Sequence, residues 1–85
     1  MQLSERTAGL MRSLCEPVYF VRDPLERIDH VVGLALSDLD EYIAALDQAL
    51  ASNVALANLG PEYHPEVIVR RFLAEVRRRL DQLMN

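Results

Sequence analysis

The chain contains no lysine and no tryptophan, one cysteine, Cys15, and only three glycines among its 85 residues. Without lysine there is no Schiff-base catalysis, no lysine-bearing phosphate loop and no lysine-assisted acid–base site. A lone cysteine leaves no internal disulfide and no thiolate cluster for a metal, so Cys15 reads as a small buried hydrophobe. No apolar run approaches the about 20 residues of a membrane span; residues 52–61 are interrupted by Asn53, Asn58 and Gly60. The opening Met1-Gln2-Leu3-Ser4-Glu5-Arg6 meets an acid and a base before any apolar stretch, unlike a secretory signal, so a cytoplasmic chain away from membranes is expected. With 51% hydrophobic residues and a formal charge of -4, there is material for a single domain around a single core.

Prolines divide the chain at Glu16-Pro17, Asp23-Pro24, Gly60-Pro61 and Pro65. Three helices are predicted, at about 4–14, 24–58 and 65–84. The first places Leu3, Thr7, Leu10, Met11 and Leu14 at helical spacing behind a Ser4 cap. Residues 17–22 hold Val18-Tyr19-Phe20-Val21, a β-branched and aromatic run expected to form an extended arm. The second helix starts with Asp23 as cap, Pro24 at the first position and Glu26 at the third. From Ile28, apolar residues alternate in steps of four and three through Val32, Ala35, Leu39, Tyr42, Leu46 and Ala49 to Asn53 and Leu56, a heptad seam. Asn58-Leu59-Gly60-Pro61 supplies a stop, with an earlier break at Ser52-Asn53 as the alternative. The third helix carries Val69, Phe72, Leu73, Val76, Leu80 and Leu83 on one stripe and most of its arginines on the other side.

The predicted fold is therefore all-α: a helical hairpin of a long central and a C-terminal helix, with a short N-terminal helix and the extended arm. A 35-residue helix spans about 52 Å and its 20-residue partner about 30 Å, so part of the seam stays uncovered. Completion by a second copy is expected, a homodimer of four-helix-bundle type with Ile28, Val32, Leu39, Tyr42 and Leu46 at the interface. On that phasing Leu39→Asp abolishes folding and Leu34→Asp, on the polar face, spares it.

Charge is unevenly placed. Residues 23–50 hold seven acids against Arg27, whereas residues 66–85 hold five arginines against Glu66, Glu75 and Asp81. His30 and His64 lack ligand spacing, and Asp38, Asp40 and Glu41 point in different directions on a helix, so no metal or cofactor is implied. Leu25-Glu26-Arg27-Ile28-Asp29 superficially resembles the opening helix of the helical chorismate mutases, but that family's active site needs a lysine. No catalytic constellation is legible. The expected function is a small non-catalytic protein–protein interaction module of the adaptor, chaperone or inhibitor kind, as in phage or mobile-element proteins. Its partner contacts are expected at Val18, Tyr19 and Phe20, at Leu34, and at Ile68, Arg70, Arg71, Arg77 and Arg78. The alternative is a nucleic-acid-associated regulator using the Arg face, which an acidic chain disfavours. A third reading places a small apolar ligand among Tyr42, Phe72 and Met84.

Overall fold

Ser4 starts the first helix as expected: its Oγ accepts a hydrogen bond from the Thr7 amide at 3.1 Å, and helix α1 runs over Glu5–Cys15. In the computed structural model, which describes residues 3–59 and 64–84, three further α-helices complete the chain, α2 (Ile28–Leu36), α3 (Leu39–Ala51) and α4 (Glu66–Met84). The fold is all-α, with no strand among the described residues. None of the helices among those residues is long and apolar enough to cross a membrane.

The long central helix is corrected into two. α2 ends at Leu36, where the Ser37 Oγ donates to the Leu34 carbonyl at 2.6 Å and Asp38 takes an extended φ of -151°. Ser and Asp compete with the helix for its own backbone groups, and Asp40 and Glu41 then favour the positive N-terminal end of α3. The chain turns there, so that α2 lies against α4 and α1 while α3 lies between α1 and α4. α3 stops at Ala51 because Ser52 is extended and its Oγ caps the Ala49 carbonyl at 2.7 Å. The earlier of the two breaks is thus the real one, a 3-10 turn comes next at Leu56–Leu59, and the Gly60-Pro61 turn lies outside the described residues.

The extended arm is also corrected. Pro17 presets a helical φ, and Glu16–Val18 form a 3-10 turn that tucks Val18 into the core at 3% exposure. Burial of one apolar side chain outweighs the β-propensity of the run. Asp23 does act as a cap, its Oδ1 accepting from the Leu25 amide at 3.1 Å, but the element it caps is a 3-10 turn, Pro24–Arg27, ahead of α2.

Met11, Leu14, Val31, Leu46, Leu56, Phe72, Leu73, Val76 and Leu80 fill one core. Of the residues expected between two copies, Ile28, Val32 and Leu46 are buried inside this chain, and Leu39 and Tyr42 pack half-buried against the same core. The stripe of α4 is core as far as Leu80, while Leu83 and Met84 are exposed. A solvent-accessible surface of 5246 Å² matches the roughly 5,100 Å² of a folded monomer of this mass. The radius of gyration, 11.6 Å, matches the about 12 Å of a closed domain.

Candidate functional site

The five arginines of α4 look like one stripe in sequence, but consecutive helical residues point about 100° apart. Arg70 and Arg77 turn toward α3. The Arg77 Nε lies 2.8 Å from Asp47, and the Arg70 guanidinium donates to the carbonyls of Leu50, Ser52 and Val54 and to Glu66. Arg71 and Arg78 turn toward α2, and Arg79 bridges 3.0 Å to Asp29 across that contact. Arg78 and Arg79 both pair with Glu75. Arg71 is exposed and has no ion-pair partner among the described residues, and the same holds for Arg22.

These two uncommitted cations meet at one place. A surface cleft of about 350 Å³ has Pro24, Leu25 and Ile68 on its walls together with Arg22 and Arg71. A second of about 400 Å³ continues it between Leu25 and Ile28 on one side and Arg71, Ala74 and Arg78 on the other. Leu25 and Arg71 line both, so the two clefts adjoin along α4 and are taken together as one groove, with Leu25 presenting 40% of its surface. The groove carries four arginines, Arg22, Arg71, Arg78 and Arg79, against the carboxylates of Asp23 and Glu75, on a chain that is acidic as a whole.

Hydrogen bonds from Arg78 and then Arg79 pull the Glu75 carboxyl from its ordinary 4.5 down to about 2. A depressed carboxylate stabilises the fold above its unfolded pKa and loses that contribution as pH falls through the folded one. The urea midpoint is therefore expected to drop between about pH 4.5 and 2. In Glu75→Gln this drop becomes shallower; profiles that run parallel would remove Glu75 from the explanation.

The other expected contacts fall elsewhere. Val18 is core and so does not offer the partner surface expected of it, Tyr19 packs half-buried against the core, and Phe20 is 83% exposed. Leu34 lies in a separate cleft with His30 and Tyr42. His64 Nε2 donates to the Val18 carbonyl at 3.1 Å, tying the start of α4 to the 16–18 turn. Cys15 is buried, and desolvation pushes its thiol up to about 11, away from thiolate chemistry. The space beside it, lined by Val18, Tyr19 and Phe72, is about 20 Å³, room for one water rather than a ligand. Tyr42, Phe72 and Met84 do not converge: Tyr42 lines the Leu34 cleft, Phe72 is core and Met84 is exposed. Among the described residues no three histidine, cysteine or acidic side chains are placed to share a metal ion.

Sequence reading missed Arg22, Leu25 and Ala74 as lining residues. Only the small size of Ala74 between Arg71 and Arg78 hinted that this flank of α4 has room for something else. No protein-family model, curated protein or solved structure matches the chain.

Proposed function

We propose that the chain is a small non-catalytic protein–protein interaction module, an adaptor, chaperone or inhibitor that docks a protein partner in the groove between α2 and α4. The observation that carries this reading is the pair of arginines, Arg22 and Arg71, that have no ion-pair partner among the described residues and stand beside the apolar walls of Leu25 and Ile68. Interfaces favour this composition, an apolar centre with arginine at its edge. Nucleic acid is disfavoured because the chain is acidic as a whole and because Arg70 and Arg77, two of the four residues expected to meet phosphates, are turned to internal partners on the α3 side. The open seam that argued for a homodimer is closed within one chain, so the occupant is taken to be a different protein. A single buried thiol suits the reducing cytoplasm, where we place the partnership.

The test is photo-cross-linking in native cells with a benzophenone amino acid at position 74, in the groove, and at position 44, an exposed alanine of α3 outside it. Position 74 is expected to capture a protein that position 44 does not. Adducts only to a second copy of the chain, only to nucleic acid, or equally from both positions would overturn the reading.

A further inference from the structure

Resting on that reading, we infer that the groove accepts an acidic amphipathic helix of about four turns, its apolar stripe on Leu25, Ile68 and Ala74 and its carboxylates on Arg22, Arg71 and Arg78. Among the residues that line the groove, Pro65, just ahead of α4, and Ile68, Arg71, Ala74 and Arg78 on it form one row, with Phe72, Glu75 and Arg79 beside it. The residues of the row recur every three or four positions over 14 residues, a straight wall about 20 Å long. The opposing wall is made by Pro24 and Leu25, from the 3-10 turn ahead of α2, and by Ile28, the first residue of α2. A channel between two helix surfaces is filled by the ridge of a third, whose anchors fall at i, i+3 or i+4, and i+7. Ala74 is the smallest side chain on the wall, so a partner backbone approaches closest there.

Charge selects the partner's sign and conformation. Arg71 and Arg78 are two helical turns apart, a rise of about 10.5 Å, the same rise as carboxylates at i and i+7 of a partner helix. Same-face residues of an extended segment recur every roughly 6.7 Å and match this spacing poorly. Arg22 and Arg71 have no ion-pair partner among the described residues, so a partner's acids gain ion pairs there without displacing one, while at Arg78 a partner carboxylate shares the guanidinium with Glu75. The like-signed alternatives are repelled: a lysine-rich helix would meet four arginines. A site of this length is smaller than a standard interface, as suits a transient partner.

The probe is an end-capped helical peptide of about 16 residues with leucines at i, i+4, i+7 and i+11 flanked by glutamates, titrated into the full chain by amide NMR and fluorescence anisotropy. Two matched peptides carry glutamine or lysine in place of glutamate. The Glu peptide is expected to shift Leu25, Ile68, Arg71 and Ala74, and to bind about tenfold or more tightly than the Gln peptide, with the gap narrowing from about 50 mM to about 500 mM salt. Arg71→Glu and Ala74→Gln, both at exposed positions and checked as folded, are each expected to weaken it about tenfold. Arg12→Glu, exposed and outside the groove, is expected to leave it within about twofold. Equal binding of the Glu and Gln peptides, preference for the Lys peptide, or shifts centred on Leu34 would overturn the assignment. If position 74 cross-links a cellular protein that the Glu peptide fails to displace, the acidic helix is wrong and the interaction reading stands. If no protein cross-links there, both fall.

Discussion

Leu46→Asp leaves the chain unfolded at 25 °C, whereas Leu39→Asp, one heptad earlier on the same seam, leaves it folded. Leu46 is 0% exposed on α3, at the centre of the core shared with α1 and α4. Truncating such a leucine costs about 2–5 kcal/mol through lost transfer energy and the cavity. An unpaired carboxylate in its place adds several more. The sum exceeds what a domain of this size, at about 0.05–0.15 kcal/mol per residue, holds in reserve. Leu39 is only half-buried and opens α3. A carboxylate there stays hydrated and faces the positive end of the helix, so the loss is limited to about 1–2 kcal/mol of burial. Leu34→Asp, at 36% exposure, changes stability by less than about 0.5 kcal/mol. Urea melts followed by circular dichroism decide the matter. A cooperative Leu46→Asp melt near the parent's midpoint would show that α3 does not face the core through this residue. An unfolded Leu39→Asp would restore the continuous helix.

That contrast marks where sequence and structure part. The apolar seam from Ile28 to Leu56 identified buried positions well, because Ile28, Val32, Ala35, Leu46, Ala49 and Leu56 all face the core. Periodicity reports which side of a helix is apolar and is silent on whether the axis continues. The repeat stays in phase across Ser37-Asp38, so it fits two helices packed by the same face as well as one. The break was written locally, in a Ser-Asp pair followed by Asp40 and Glu41, a helix-start signal. Folding the seam back on itself then removes the uncovered length that argued for a second copy. At α1 and α4, where cap or proline and stripe agreed, the bounds lie next to those read from the sequence.

The groove was less legible for a different reason. Its walls come from residues 22–28 and 65–79, so it exists only once α2 lies on α4. The division of the arginines into an Arg70 and Arg77 flank and an Arg71 and Arg78 flank follows from helix geometry and was open to sequence reading. Which flank stays uncommitted was not. It depends on backbone carbonyls at Leu50, Ser52 and Val54, acceptors that side-chain patterns do not display.

Arg70→Ala is the second large effect, about 2–3 kcal/mol of stability, with Arg70→Lys recovering less than half of it. The Arg70 Nη2 donates to the Ser52 and Val54 carbonyls, each at 2.8 Å, and Nη1 to Leu50 at 3.3 Å. These groups lie at and just beyond the end of α3, where carbonyls lack helical partners. The Arg70 Nε holds Glu66 at 2.7 Å, and the two Glu66 oxygens accept the amides of Ala57 at 2.7 Å and Leu56 at 3.0 Å. Burial alone would raise the Glu66 carboxyl, but the Ala57 and Leu56 amides and then Arg70 hold it below its ordinary value. One ion pair thus closes residues 50–57 onto the first turn of α4. Hydrogen bonds to charged groups contribute about 1.5–3 kcal/mol each when broken one-sidedly, offset here by rehydration because the guanidinium is partly exposed. A lysine ammonium lacks the planar fork that reaches three carbonyls and a carboxylate together. The Leu56 and Ala57 amides should exchange with solvent faster in Arg70→Ala than global unfolding explains, because Glu66 loses the cation that orients it. A change below about 0.5 kcal/mol with unaltered exchange at those amides would mean that the clamp adds nothing beyond core packing. The same turn of α4 begins the groove at Pro65 and Ile68, so loosening the clamp should also weaken binding of the acidic helix, although Arg70 itself does not line the groove.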